Sequence, residues 1–156
     1  MCIVIESFTL EVKMNKWDLR FLDMARLVST WSKDPSTKVG SVIVNDDNQI
    51  ISLGYNGLPR RVPDDPNILE QRFEKYKYII HAETNAILTA NSSVKDCIVY
   101  TFPFLPCNNC ASMLIQAGIK RVVSFECVDN RWQATLQDSK SLFQTAKVEC
   151  IEYSLS

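Results

Sequence analysis

Two short motifs in this chain of 156 residues carry side chains that could bind a metal and move a proton. One is His-Ala-Glu at residues 81–83, and the other is Pro-Cys-Asn-Asn-Cys at residues 106–110. Imidazole nitrogen and thiolate sulfur are good ligands for Zn²⁺, and two cysteines one helical turn apart can reach one ion. The predicted zinc ligands are therefore His81, Cys107 and Cys110. The Glu83 carboxylate is left free to move protons beside the metal.

The alternative to a catalytic zinc site is a closed structural site with a fourth protein ligand. Cys97 and Cys127 are the candidates for that ligand, because the chain has only one histidine. Both cysteines lie at the ends of predicted strands, where isolated cysteines are more often small buried hydrophobic residues. The sequence therefore favours an open zinc site that keeps its fourth position for water.

Length and composition predict one zinc-binding domain over residues 1–156, in which residues 1–14 form an N-terminal extension. Hydrophobic residues make up 46%, charged residues 22%, and the net charge is −1. This balance gives no sign of the basic face that binds nucleic acid polymers, so a small substrate is expected. The first six residues, Met-Cys-Ile-Val-Ile-Glu, are too short and too interrupted for a leader or a membrane span. Thiolate zinc ligands favour a reducing compartment, so a cytoplasmic location without membrane partners is predicted.

Residue spacing predicts helices alternating with strands along most of the chain. A helix is expected over 16–31, a hairpin over 39–55, a long loop to 66 and a short helix within 68–78. Further helices are expected over 81–91, 106–118 and 131–146, and further strands over 96–102, 121–125 and 148–153. This order predicts an α/β protein with a mixed sheet and helices on both of its faces. The extension is expected to form a strand or a contact arm.

Several stretches, taken together with the zinc motifs, resemble the deoxycytidylate (dCMP) deaminase family within the cytidine deaminase-like superfamily. They are Asp-Pro-Ser-Thr-Lys-Val-Gly at 34–40, Gly-Tyr-Asn-Gly-Leu-Pro at 54–59, His-Ala-Glu-Thr-Asn-Ala-Ile at 81–87, Pro-Cys-Asn-Asn-Cys-Ala at 106–111 and Ile-Gln-Ala-Gly-Ile-Lys at 115–120. The zinc motifs indicate the superfamily, and the first two stretches narrow the resemblance to the dCMP branch. The resemblance implies a three-layer α-β-α sandwich with a five-stranded mixed sheet.

The resemblance also implies roles for individual residues. His81, Cys107 and Cys110 are the zinc ligands, and Glu83 is the proton shuttle. The implied substrate-binding residues are Asn56 at the sugar hydroxyl, Ser36 and Lys38 near the 5′-phosphate, Ala82, and Trp132 as a pocket wall. Lys38 could equally be a solvated lysine, and Trp132 could equally be a core residue.

The implied activity is zinc-dependent hydrolysis of dCMP to dUMP and ammonia, which supplies dUMP for thymidylate synthesis. Family members are typically homohexamers that dCTP activates and dTTP inhibits, with Mg²⁺ accompanying the triphosphate. The implied effector site is the loop that contains Gly54, Tyr55, Asn56 and Gly57. Arg60 and Arg61 follow this loop, and they are expected either to bind a triphosphate or to be solvated charges.

Three other functions stay open at this point. The first is a broader deaminase that acts on both dCMP and dCTP. The second is a base deaminase acting on tRNA or single-stranded DNA, against which the net charge of −1 argues. The third is a non-catalytic nucleotide sensor, which would not need three zinc ligands and a poised carboxylate.

Overall fold

A single six-stranded sheet runs through the computed structural model, which describes residues 3–5 and 15–154. The strands are β1 (Ile3–Ile5), β2 (Gly40–Val44), β3 (Ile50–Tyr55), β4 (Ile98–Phe102), β5 (Arg121–Phe125) and β6 (Glu149–Tyr153). Their order is β1-β6-β5-β4-β2-β3. β2 is antiparallel to β3 and β4, and the other pairs are parallel. The five predicted strands and the mixed sheet are confirmed.

The sixth strand, β1, lies in the predicted N-terminal extension and pairs with β6. The sequence analysis left this segment open between a strand and a contact arm, and the backbone of 3–5 forms a strand. The rest of the extension lies outside the described residues.

Helices cover both faces of the sheet. They are α1 (Lys16–Ser29), α2 (Pro66–Leu69), α3 (Arg72–Tyr78), α4 (Ala82–Thr89), α5 (Asn108–Gln116) and α6 (Gln133–Thr145), with a 3₁₀ turn at Asn130–Trp132. α1 packs against β2 and β4 on one face, whereas α4, α5 and α6 form the layer on the other. The predicted three-layer sandwich is confirmed. No described helix is both long and apolar enough to cross a membrane.

The alternation of side chains along β2 explains why its whole sequence is apolar or small. Val42 and Val44 pack with the α1 residues Leu22 and Ala25, while Ile43 points to the opposite layer. All five residues of the strand are buried. A strand covered by helices on both faces needs a continuous apolar run instead of an alternating pattern.

Two helices begin later than the sequence predicts, and the shift places two metal-ligand candidates at N-caps. His81 has φ −70° and ψ 155°, and Cys107 has φ −64° and ψ 168°, so both are extended residues before α4 and α5. Periodicity cannot separate an N-cap from the first helical turn, since the side chain of either position can point the same way. Gly118, with φ 89°, follows α5 at the predicted stop. The short helix predicted within 68–78 is α3, and a further short helix, α2, precedes it from the end of the predicted loop.

Candidate active site

The imidazole of His81 and two cysteine sulfurs meet between the first turns of α4 and α5. His81 Nδ1 lies 3.4 Å from Cys107 Sγ and 3.4 Å from Cys110 Sγ. Two bonds of zinc-ligand length, at a tetrahedral angle, separate a nitrogen and a sulfur by about 3.5 Å. The three atoms therefore fit one Zn²⁺. Among the described residues, no other histidine, cysteine or carboxylate joins this cluster.

Local hydrogen bonds favour a thiolate at this corner. The Cys110 thiol and the His81 ring hydrogen-bond to Cys107 Sγ and lower the pKa of Cys107 to about 4, against the opposing effect of burial. The same contact raises the pKa of Cys110, as expected when two thiols share one proton. Metal binding requires deprotonated sulfur, so a site that already holds one thiolate is suited to a cation.

Glu83 lies in the first turn of α4, two residues after the metal-ligand histidine. It is 4% exposed and lines a cavity of about 200 Å³ together with His81 and Cys107. Burial is the main reason that the pKa of Glu83 is raised, and the nearby His81 ring partly offsets it. A carboxyl group with a raised pKa can both accept and donate a proton near neutral pH.

Most predicted site residues line this cavity. Those that do are Ser36, Asn56, His81, Ala82, Glu83, Cys107 and Trp132. Trp132 packs against Phe104 with ring centroids 5.8 Å apart, so the two rings form one wall. Cys110 is buried behind Cys107 and is not among the lining residues.

Lys38 is the predicted substrate-binding residue that does not line the cavity. Its ammonium donates a hydrogen bond to the carbonyl oxygen of Ser32 at 2.6 Å. The side chain is exposed, and Lys38 is absent from the lining of the cavity. A role for Lys38 at the 5′-phosphate stays a prediction beside the solvated alternative.

Asn56 holds the loop at 34–39 against the cavity. Its Nδ2 donates to the Thr37 carbonyl at 2.9 Å and to Asp34 Oδ2 at 3.4 Å, while its Oδ1 accepts from the Val39 N–H at 2.9 Å. The side-chain amide thus stabilises the loop that carries Ser36, in addition to facing the cavity.

Sequence reasoning missed a buried ion pair in the cavity wall. Lys75 Nζ lies 2.9 Å from Asp34 Oδ1, and each side chain is 5% exposed. Asp34 also accepts hydrogen bonds from the N–H groups of Ser36 and Thr37. Asp34 opens the motif at 34–40, which was a usable signal, whereas nothing in the sequence marks Lys75. The other missed lining residues include Arg72, Tyr76 and Phe104.

A second cavity lies beside the predicted effector loop. Gly54, Tyr55, Gly57 and Arg60 line it. Asn56 belongs to the first cavity instead, and Arg61 lines neither. The loop thus faces the second cavity along most of its length, and only Asn56 turns to the first.

The comparisons with known proteins agree with this geometry. The family model for the cytidine and deoxycytidylate deaminase zinc-binding region matches residues 15–126. An uncharacterized deaminase from the luxG 3′ region of Aliivibrio fischeri is 43% identical over 139 residues, which cover 87% of this chain and 92% of that protein. Deoxycytidylate deaminase of Mus musculus is 46% identical over 114 residues, which cover 69% of this chain and 64% of the mouse protein.

A solved structure shares the fold. The crystal structure of dCMP deaminase from cyanophage S-TIM5 in its apo form matches with a TM-score of 0.69 at 23% identity. The match covers 90% of this chain and 98% of that chain. Both zinc motifs and the Glu83 carboxylate fall inside the matched region 15–126, and the chain belongs to the cytidine and deoxycytidylate deaminase family.

Proposed function

We propose that this protein hydrolyses dCMP to dUMP and ammonia. The observation that carries the proposal is one imidazole nitrogen that lies 3.4 Å from each of two sulfurs, at a cavity that Glu83 also lines. Relatives such as the mouse protein carry the name deoxycytidylate deaminase, which supports dCMP as the substrate.

His81, Cys107 and Cys110 would hold the zinc ion, which supplies Lewis-acid activation of water at neutral pH. Glu83 then does the proton work of the reaction. Its carboxylate accepts a proton from the attacking water, gives it to the ring nitrogen next to the amine-bearing carbon, and later helps the amine to leave as ammonia. One carboxyl group suffices because these steps alternate between proton uptake and delivery.

The remaining lining residues position the nucleotide in this proposal. Asn56 and Ser36 offer polar groups for the sugar, and the Ala82 backbone borders the base. The ring pair of Trp132 and Phe104 forms an apolar wall against which a pyrimidine can pack. The cavity thus combines an apolar wall with several polar and charged groups, as a site for a nucleotide requires.

The test is to follow the fall in cytosine absorbance when the zinc-loaded protein is mixed with dCMP. We expect turnover by the wild type and a loss of roughly 10²- to 10⁴-fold in Glu83→Gln, the range for general acid–base catalysis. Glu74→Gln is the matched control, because Glu74 is an exposed α3 residue paired with Lys77. No dCMP turnover by wild type would refute the substrate, and equal turnover in Glu83→Gln would refute the role of Glu83.

Regulation and assembly are finer parts of the proposal. We propose a homohexamer that dCTP activates and dTTP inhibits with Mg²⁺, and that supplies dUMP for thymidylate synthesis. The second cavity supports an effector site, since Gly54, Tyr55, Gly57 and Arg60 line it. Rates measured on dCMP with and without each triphosphate and Mg²⁺ test regulation, and light scattering tests the hexamer. Including dCTP as a substrate tests the broader deaminase, while the single domain over 1–156 and the cytoplasmic location stay predictions.

A further inference from the structure

The cations that line the active-site cavity differ in how well they are neutralised. They are Arg72, Lys75 and Arg131. Lys75 is buried against Asp34. Arg131 donates to both carboxylate oxygens of Asp129, at distances of 2.6 to 3.1 Å. Arg72 has no carboxylate of the described residues within ion-pair distance.

Among the described residues, the side-chain hydrogen bond and the ring contact of Arg72 are both with a neighbouring tyrosine on the same helix. Its Nε donates to the Tyr76 hydroxyl at 3.1 Å, and its guanidinium carbon lies 5.4 Å from the centroid of that ring. The side chain is exposed enough to reach solvent yet lines the cavity. An arginine oriented by a ring and left without an anion is suited to meet a negatively charged group of a ligand.

The buried ion pair fixes where this arginine lies. Arg72, Lys75 and Tyr76 are at positions i, i+3 and i+4 of α3, so they share one helical face. Because Lys75 is bonded to Asp34 in the cavity wall, this face is turned to the cavity. The exposed residue Lys77 pairs with Glu74 and does not line the cavity. This face of α3 is therefore the one that a ligand in the cavity would meet.

We propose that Arg72 binds the 5′-phosphate of the nucleotide and makes the enzyme prefer a nucleotide to a nucleoside. This inference rests on the proposed function and extends it to a residue that the sequence did not indicate. A planar guanidinium can give two parallel hydrogen bonds to a phosphate, and a phosphate monoester brings close to two negative charges. Lys38, the sequence-based candidate, donates a hydrogen bond to the carbonyl of Ser32, which does not line the cavity.

The test compares the binding of dUMP and deoxyuridine, which differ only in the 5′-phosphate, by titration calorimetry on the zinc-loaded protein. In Arg72→Gln we expect the preference for dUMP over deoxyuridine to fall about 10- to 100-fold, as when a charged hydrogen bond is lost. Arg72→Lys keeps the charge but loses the planar guanidinium with its two parallel donors, so an intermediate fall is expected. Lys77→Gln removes the same charge from the same helix and should keep the wild-type preference.

A wild-type preference in Arg72→Gln would overturn the inference. If Lys38→Gln then shows the loss, the phosphate contact belongs to Lys38. Circular dichroism of each variant separates these outcomes from unfolding, since Arg72 is exposed and makes no buried contact. The binding assay does not need turnover. A wild type that binds dUMP through Arg72 but fails to deaminate dCMP therefore contradicts the proposed function alone.

Discussion

A buried carboxylate lies on each face of the sheet, and the two have opposite surroundings. On the α1 face, Asp18 is 1% exposed and receives two hydrogen bonds from Arg121, at 2.8 and 2.7 Å. The hydroxyls of Tyr100 and Tyr153 donate two more, at 2.7 and 2.6 Å. On the opposite face, Glu83 is 4% exposed and borders a cavity.

The pKa values of the two acids move in opposite directions for this reason. Burial raises the pKa of Asp18, but the hydrogen bonds from Arg121 and the two tyrosines outweigh it, so the pKa is lowered overall. At Glu83 burial dominates and the pKa is raised. Two carboxylates that are similarly buried can therefore serve different purposes, one stability and the other proton transfer. The difference is how strongly the protein's own donors offset burial, since Asp18 has an arginine and two tyrosines, whereas at Glu83 a backbone N–H and the Cys110 thiol do not outweigh it.

The largest effect is expected from a change in the candidate metal ligands, which lie on the same face of the sheet as Glu83. Cys107→Ala removes the ligand most readily ionised, so we expect it to lose stoichiometric zinc and at least about 10³-fold in turnover. Metal analysis of the purified protein and the absorbance assay measure both. Cys127→Ala is the control, because Cys127 lies outside the cluster. Zinc loss in Cys127→Ala as well would revive the closed four-ligand site.

A change at Asp18, on the α1 face of the sheet, should affect stability instead of activity. Asp18→Asn leaves Arg121 and two tyrosines facing a neutral group, which we expect to cost about 3–5 kcal/mol, as for other broken buried pairs. Urea unfolding at pH 7 measures this loss. Asp46→Asn is the control, since Asp46 forms an exposed ion pair with Lys120 and should change stability by less than about 1 kcal/mol.

The pH dependence of stability sharpens the same prediction. The pKa of Asp18 is lowered in the folded state, so its contribution is complete above the ordinary aspartate pKa of 3.8. It is lost as the pH falls through the lowered value. The gap between wild type and Asp18→Asn should therefore be wide at pH 7 and shrink in acid. A gap that stays constant down to pH 3 would contradict a charged Asp18.

A region could be predicted from the sequence where the residues that form it lie close together along the chain. The three zinc ligands were predictable because each motif is short, and histidine and cysteine are the residue types that bind zinc. The order of strands and helices was predictable from periodicity. The positions of His81 and Cys107 at N-caps were not, since the side-chain pattern is nearly the same one residue earlier or later.

The ion pair in the cavity wall and the hydrogen bonds to Asp18 could not be predicted, because each joins residues that are far apart along the chain. Lys75 meets Asp34 from 41 positions away, and Tyr153 meets Asp18 from 135. The short helix α3 carries no apolar stripe that would indicate which face is turned inward. Lys38 was a candidate, with a solvated lysine as the equal alternative, because it lies in a family-like motif. Arg72 lies in no motif, and only tertiary contacts place it at the cavity.

Two glycines give the finest comparison of the faces, because each lies under a helix. A Cβ on Gly40 would overlap the Ala25 carbonyl and lie 2.5 Å from the Ser29 nitrogen in α1. A Cβ on Gly54 would overlap the Ala82 carbonyl and lie 2.5 Å from the Ala86 nitrogen in α4. Since backbone must move in both, we expect each alanine variant to lose about 1–3 kcal/mol in urea unfolding.

Activity should separate the two variants although their stability losses are similar. Gly54→Ala displaces the helix that carries Glu83, and a shift of about 1 Å can cost up to about 10²-fold, so we expect at least a tenfold fall in kcat/KM for dCMP. Gly40→Ala displaces α1, which carries no lining residue of the cavity, and should fall less than about threefold. Gly57→Ala, where a Cβ meets nothing within 4 Å, is the control for stability. Equal losses of activity in the first two variants would show that the two faces are not independent.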